Sequence, residues 1–156
     1  MTYDIEQLAD PVAALDEFVV LRTAWAAEQD RPLVPGDPFV DDLRTWLERE
    51  ASHRQFWLIR LNDQPVGMVN LLVFDRMPTV GIPGGGWGYL CNMFVDTDHR
   101  NGGLGARLAE AVLAYADTTG LERVVLSPSE RSRPFYGSLG FTTADKLLVR
   151  TRSGSP

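Results

Sequence analysis

The sequence is poor in cysteine, histidine and positive charge, and it has no long apolar run. Its single cysteine, Cys91, excludes an intramolecular disulfide. The N-terminus carries no basic segment followed by an apolar run, so no secretory signal is read and a reducing, cytoplasmic location is expected. The longest apolar stretches fall far short of the ~20 residues needed to cross a bilayer, and no membrane role is expected. His53, His99 and Cys91 form no ligand-spacing motif, so no metal is expected either. Fifteen Lys and Arg against 21 Asp and Glu leave a net charge of −6. That balance excludes a surface built for phosphate backbones, and no nucleic-acid partner is expected. The deficit lies in the first half, which holds 14 acidic and 7 basic side chains over residues 1–78, against 7 and 8 over residues 79–156.

What is present is the composition of an ordinary folded domain: 156 residues, 44% hydrophobic and 23% charged. One domain over residues 1–150 is expected, followed by a short polar tail at 151–156. A chain of this length buries roughly two thirds of its unfolded surface and needs no disulfide or metal for ordinary stability. A short strand is read at Tyr3–Leu8. Leu15, Phe18, Val19, Arg22 and Ala26 then follow helical spacing behind a candidate N-cap, Asp10. Asp37-Pro38 starts a second helix with Phe39, Leu43, Trp46 and Leu47 as its stripe.

From Gln55 the period shortens. Phe56–Leu61 and Val66–Phe74 flank the turn residues Asn62-Asp63-Gln64-Pro65, which is a hairpin signal. The glycine-rich stretch Gly81–Gly88 reads as a mobile loop before a buried strand at Tyr89–Val95. Leu104, Leu108, Val112 and Tyr115 mark a helix that Gly120 ends, and Arg123–Leu126 is a further strand. A helical turn at Pro134–Leu139 and a last strand at Phe141–Val149 complete a mixed α/β order.

The informative stretch runs from Asn92 through the turn Arg100-Asn101-Gly102-Gly103-Leu104-Gly105-Ala106 into that helix. Its glycines let the main chain approach a ligand closely, and free N–H groups at a helix N-terminus favour an anion such as a pyrophosphate. Arg100 and Arg107 could add charge-assisted hydrogen bonds. A Walker A loop would need Lys-Ser/Thr where Ala106-Arg107 stands, and the dinucleotide spacing is absent. A purely structural strand-to-helix turn is the other reading.

This stretch resembles the acyl-CoA-binding motif of the GNAT superfamily of N-acetyltransferases, Arg/Gln-x-x-Gly-x-Gly/Ala, matched by Arg100, Gly103 and Gly105. A second family pattern, Asn-x-x-Ala-x-x-x-Tyr-x-x-x-Gly-Phe, is matched downstream by Tyr136, Gly140 and Phe141, with Ser129 and Ser132 at its Asn and Ala positions. The resemblance covers residues 89–141. It implies a single-domain GNAT-like α/β fold whose mixed central sheet has helices on both faces. It also implies acetyl-CoA as co-substrate, an amine of a small molecule or peptide as partner, and a monomer or homodimer.

On this resemblance the pyrophosphate would lie on the main chain of Arg100–Ala106, and the pantetheine arm would run along Phe94 and Val95 as an added strand. Ser129 and Ser132 could donate hydrogen bonds to the cofactor. Acetyl would pass directly to the amine in a ternary complex, without a covalent enzyme intermediate, with Tyr136 as general acid toward the departing thiolate. Asn92 could hold a water through which the amine proton leaves. The general base is unassigned, with Glu130, Asp75 and Glu28 as candidates, because residues 76–95 contain no Asp or Glu. Thr97 stands where the family often has Pro.

Three side chains have a second reading. Cys91 as a nucleophile has no fixed imidazole partner and reads as core. Trp87, unlike Trp25, Trp46 and Trp57, could belong to a lid formed by the Gly81–Gly88 loop or could be a partly buried hairpin residue. His99 reads as a turn residue. Two other functions are weighed: a non-catalytic acyl-CoA-binding or sensing module, and an acidic protein-interaction domain.

Overall fold

The computed structural model describes residues 2–155, which fall into two compact units, one ending at Leu126 and one from Ser127 onward. In the first unit the chain enters through β1 (Tyr3–Gln7) and a 3-10 turn (Val12–Ala14), then α1 (Leu15–Ala27) and α2 (Phe39–Glu50). The two aspartates read as N-caps act just ahead of the helices, whose own cap positions, Ala14 and Pro38, make no side-chain cap hydrogen bond. Asp10 Oδ1 accepts from the amides of Val12 and Ala13, and Asp37 Oδ1 accepts from that of Phe39 at 2.9 Å.

The hairpin β2 (Arg54–Leu61) and β3 (Gln64–Asp75) follows, then β4 (Gly86–Val95), α3 (Leu104–Thr119) and β5 (Arg123–Val125). Asn62 and Asp63 close the hairpin with φ of 48° and 64°. Two successive positive values suit the right-handed twist of the flanking strands, and Asn and Asp tolerate them best after glycine. The strands lie in the order β1-β2-β3-β4-β5, with β1 to β4 antiparallel and β5 parallel to β4.

Alternation along β2 divides the core between the two faces. Phe56 and Leu58 join Leu15, Phe18, Leu21, Leu47, Met68 and Phe94 under α1 and α2. Trp57 packs edge-on against Tyr115 of α3, and Leu108 and Val112 of that helix are fully buried. Helices thus flank both faces of the sheet, as the resemblance implies. Gly67 of β3 allows the close approach on the α3 side, since an added Cβ would lie 2.7 Å from Ile59 Cγ2 and 3.2 Å from Leu108 Cδ1.

Two expectations are corrected. The Gly81–Gly88 loop is shorter than read, because Gly86, Trp87 and Gly88 already pair with Asp75, Phe74 and Val73 in β4. Here glycine serves packing: a Cβ on Gly88 would meet Leu71 Cδ1 at 2.7 Å. Trp87 accordingly sits in the sheet, beside Phe74 and under the guanidinium of Arg123, so it belongs to no lid.

The strand expected at Phe141–Val149 is also absent. A turn at Ala144–Leu147 interrupts it, and Leu148 and Val149 are 99% and 91% exposed. An apolar segment becomes a strand only when another strand pairs with it, and none does so among the described residues.

In the second unit a 3-10 turn (Glu130–Ser132) leads into the short α4 (Arg133–Ser138), with Pro134 in its first turn.

Candidate active site

The backbone of β4 is irregular at its centre. Met68 faces Phe94 and Asn70 faces Cys91, so β4 spends one residue more than β3 across this interval. The surplus falls at Asn92, which adopts φ of 55°. Such a bulge bends the strand and re-aims its side chains. The outer edge of β4 is also uncovered here. β5 pairs only with Trp87–Tyr89, so the edge from Leu90 to Val95 has no strand partner among the described residues.

Beside the bulge lies a cavity of about 460 Å³, within the roughly 300–1,000 Å³ range of small-molecule sites. Four aromatic rings, Phe18, Phe39, Trp46 and Phe56, line it, and Asn92 and Asn70 reach it from the sheet. Its charged walls are Arg22 of α1 and Asp42 of α2.

Asn92 is held by a buried polar chain. Glu50 Oε2 accepts from Arg54 Nε and Nη2 at 3.1 and 3.0 Å, and Arg49 and His53 also bond to this carboxylate. Arg54 Nη1 donates to Asn70 Oδ1 at 2.8 Å, and Asn70 Nδ2 donates to Asn92 Oδ1 at 2.9 Å. Arginine can only donate, so it fixes the orientation of both amides in turn. Asn92 Nδ2 is thereby left without a partner among the described residues. Burial works to raise the Glu50 pKa, but hydrogen bonds from Arg54 and Arg49 outweigh it and hold the carboxyl below its ordinary value.

The turn before α3 presents a run of unpartnered main-chain amides. Asn101 and Gly103 have φ of 63° and 80°, and a Cβ on Gly103 would meet nothing within 4 Å. None of the amides of Asn101, Gly102, Gly103, Leu104, Gly105 and Ala106 donates to a protein acceptor among the described residues. The first main-chain acceptor is Gly103 O, which takes the Arg107 amide at 3.1 Å. Buried Leu104 anchors the helix start, so these donors are held in place, and the helix dipole adds to their field.

The Arg100 side chain has another duty. Its Nη2 donates to Glu28 Oε1 and Oε2 at 2.7 and 2.8 Å, and its Nε donates to Val95 O at 2.8 Å. Thr97 Oγ1 donates to the same carboxylate at 2.6 Å. The Arg100 side chain is thus committed to tying the turn to the end of α1, and the groups the turn leaves unpartnered are main-chain N–H groups. Of the Phe94 and Val95 pair, Phe94 buries its ring in a stack on Trp25, centroids 5.3 Å apart, so only its main chain is available to an added strand.

Of the candidate bases read from sequence, Asp75 ends β3 opposite Gly86. Glu28 is engaged by Arg100 and Thr97, and Glu130 pairs with Arg133 in the second unit. Burial raises the Cys91 thiol pKa, against some help from Arg54, which keeps it protonated and a poor nucleophile. His53 bonds Glu50, and His99 Nδ1 lies 3.3 Å from the Tyr3 hydroxyl. No cluster of three or more His, Cys, Asp or Glu that could hold a metal exists among the described residues.

In the second unit Tyr136 is 9% exposed, edge-on to Phe135 and Phe141 at 4.9 and 5.7 Å. Its hydroxyl has no hydrogen-bond partner among the described residues, and burial raises its pKa, so the phenol keeps its proton. Ser129 Oγ accepts the Ser132 amide at 3.2 Å and donates to Ser132 Oγ at 3.0 Å, so this pair caps the turn leading to α4.

Residues 7–141 match the acetyltransferase (GNAT) family. The chain belongs to that family. A glucosamine 6-phosphate N-acetyltransferase of Trypanosoma brucei brucei is 31% identical over 83 residues, 53% of this chain and 54% of that protein, so the match spans about half of this curated relative. Two solved structures share the fold. One is a predicted acetyltransferase from Clostridium acetobutylicum, solved with acetyl-CoA, with a TM-score of 0.75 at 18% identity, covering 96% of both chains. The other is an aminoglycoside acetyltransferase from an uncultured soil metagenomic sample, with a TM-score of 0.75 at 19% identity, covering 98% of this chain and 97% of that one.

The two GNAT motifs thus lie in a GNAT fold. Arg22, Glu50, Arg54 and Asn70 were not singled out from sequence as site residues, although Arg22 did stand on the expected apolar stripe of α1. A charged residue at a position spaced for burial was the one available signal.

Proposed function

We propose that this chain transfers an acetyl group from acetyl-CoA directly to a primary amine of a small molecule, with Tyr136 as general acid. The observation that carries the reading is the bulged, open-edged segment of β4, which has the anion-receiving turn at its end and an aromatic cavity beside Asn92. Bound acetyl-CoA would supply an activated thioester. The residues present fit it: unpartnered amides from Asn101 to Ala106 suit a pyrophosphate, and the edge of β4 from Leu90 to Val95, which no described strand covers, suits the amides of a pantetheine arm along Phe94 and Val95.

The amine nitrogen would form a bond to the thioester carbon as the carbon–sulfur bond breaks, and the thiolate would take a proton from the Tyr136 hydroxyl. A phenol held protonated by burial and free of other hydrogen bonds suits that task. Asn92, held in place through Asn70, is assigned the positioning of the amine or of a water that carries its proton away. The paired serines 129 and 132 are assigned to the coenzyme side.

The names of the relatives, which specify acetylation of an amino sugar phosphate and of aminoglycosides, support small-molecule amines as the substrate class. The family match runs across the boundary at Leu126, which supports one functional domain over residues 1–150. A single half-buried cysteine suits a reducing compartment, and we place the protein in the cytoplasm.

Calorimetric titration with acetyl-CoA tests the reading. Wild type should bind at micromolar levels, while folded Gly103→Trp, whose side chain would occupy the open space over the turn, should not. Absence of binding by folded wild type would overturn the assignment.

A further inference from the structure

We infer that the amine acceptor is a free α-amino acid with an aromatic or large apolar side chain, its carboxylate received by Arg22. This inference rests on the acetyl-transfer reading of the same site and narrows it to one substrate class.

Arg22 is half-buried on α1 and lines the cavity one helical turn from Phe18. It makes no hydrogen bond or ion pair among the described residues; its guanidinium lies over the Trp25 ring, 4.9 Å from the centroid. Burial, and then the charge of Arg31, push its pKa below the ordinary value, as expected of a cation that has lost water without gaining an anion. The contrast with its neighbours is sharp. Arg54 and Arg60, the other partly buried arginines of this unit, each close on a carboxylate at 3.0 Å or less, as does the more exposed Arg100. A partly desolvated guanidinium facing a cavity is thus a vacant anion receptor, and a planar carboxylate fits its fork.

The rest of the wall defines the remainder of the ligand. Phe18, Phe39, Trp46 and Phe56 offer ring faces to an apolar or aromatic body. Asn92 Nδ2, oriented by the Arg54–Asn70 chain, is a second donor without a partner, and it sits at the bulge. With Arg22 as the one lining cation and Asp42 as the one lining carboxylate, the wall suits a zwitterion. A phosphate dianion would leave a charge uncompensated and meet Asp42, and a polycationic aminoglycoside would find Arg22 opposing it.

The test uses the full chain, with acetyl-CoA binding measured first. Release of coenzyme A is then followed with L-phenylalanine, with phenethylamine, which lacks only the carboxylate, and with glucosamine 6-phosphate and kanamycin. Wild type should prefer phenylalanine over phenethylamine by ~10–100-fold in kcat/KM, the range of one charge-assisted hydrogen-bonded pair. In Arg22→Met the preference should fall to within ~3-fold, and Arg22→Lys should recover part of it; thermal melting confirms that both variants fold. Equal or better use of phenethylamine by wild type, or a preference that survives in Arg22→Met, overturns the inference. So does acetylation of the sugar phosphate or the aminoglycoside without the amino acid, or acetyl-CoA binding with no amine accepted. Failure of wild type to bind acetyl-CoA would instead overturn the acetyl-transfer reading itself.

Discussion

Arg100 reaches back 72 positions to close on both oxygens of Glu28, so the loop that ends α1 and the turn that opens α3 are tied by a single ion pair. Its two side chains are 37% and 33% exposed, and solvent screening keeps its worth small. Glu28→Gln should therefore cost less than about 1 kcal/mol in chemical denaturation. Its larger effect should be on acetyl-CoA affinity, because an untied turn must be ordered on binding; calorimetry at matched temperature would read this as a weaker Kd.

The Glu50 chain is deeper and should behave differently. Arg54 and Glu50 side chains are each 12% exposed. Arg54→Met would leave a buried carboxylate short of partners and strip Asn70 of its donor, with an expected loss of about 3–5 kcal/mol. Replacing both charges, as Glu50→Leu with Arg54→Met, should cost less than Arg54→Met alone. Urea denaturation of the three proteins measures both numbers.

The same carboxylates set a pH dependence. Glu28 and Glu50 are both held below the ordinary pKa, Glu28 by hydrogen bonds from Arg100 and Thr97, and Glu50 by its arginines against the opposing effect of burial. A lowered native pKa means that the unfolded state binds protons more readily. Their contribution is full above the ordinary carboxylate pKa of about 4.3 and is lost as pH falls through the lowered native values. Stability measured from pH 7 down to pH 3 should fall in that window, and Glu50→Gln should flatten the fall.

Glycines should divide by cause. Gly88→Ala drives a methyl to 2.7 Å from Leu71 Cδ1 in a buried sheet and should cost about 1–3 kcal/mol. Gly103→Ala meets nothing but carries φ of 80°, so backbone strain alone, about 1 kcal/mol, is expected. Thermal melts separate the two, and only Gly103→Ala should also weaken acetyl-CoA binding.

Tyr136→Phe removes the proposed acid and nothing that holds its neighbours, because the hydroxyl bonds no described residue. The kcat should drop ~100-fold or more with the KM for acetyl-CoA little changed. An unchanged kcat in steady-state assays would remove Tyr136 from the mechanism.

What the sequence by itself determined is what neighbouring residues decide among themselves. Asp10 and Asp37 bond amides two residues on, Asn62 and Asp63 turn and Gly120 ends a helix because each acts within a few positions, and the Arg100–Ala106 loop carries its unpartnered amides in its own backbone. Pairings across the chain were not legible. Nothing local says that Arg100 meets Glu28, that Arg54 orients Asn70 and through it Asn92, or that Arg22 meets no carboxylate among the described residues.

The same limit explains the two errors of secondary structure. Gly86–Gly88 has loop composition yet forms strand because Val73, Phe74 and Asp75 of β3 pair with it, and its glycines leave room for Leu71 and the Phe74 carbonyl. Phe141–Val149 has strand composition yet forms none because no described strand pairs with it and the Phe141 amide turns back to Tyr136 O. Sheet membership and site chemistry both depend on which distant groups come within 3 Å of one another, and only the tertiary structure decides that.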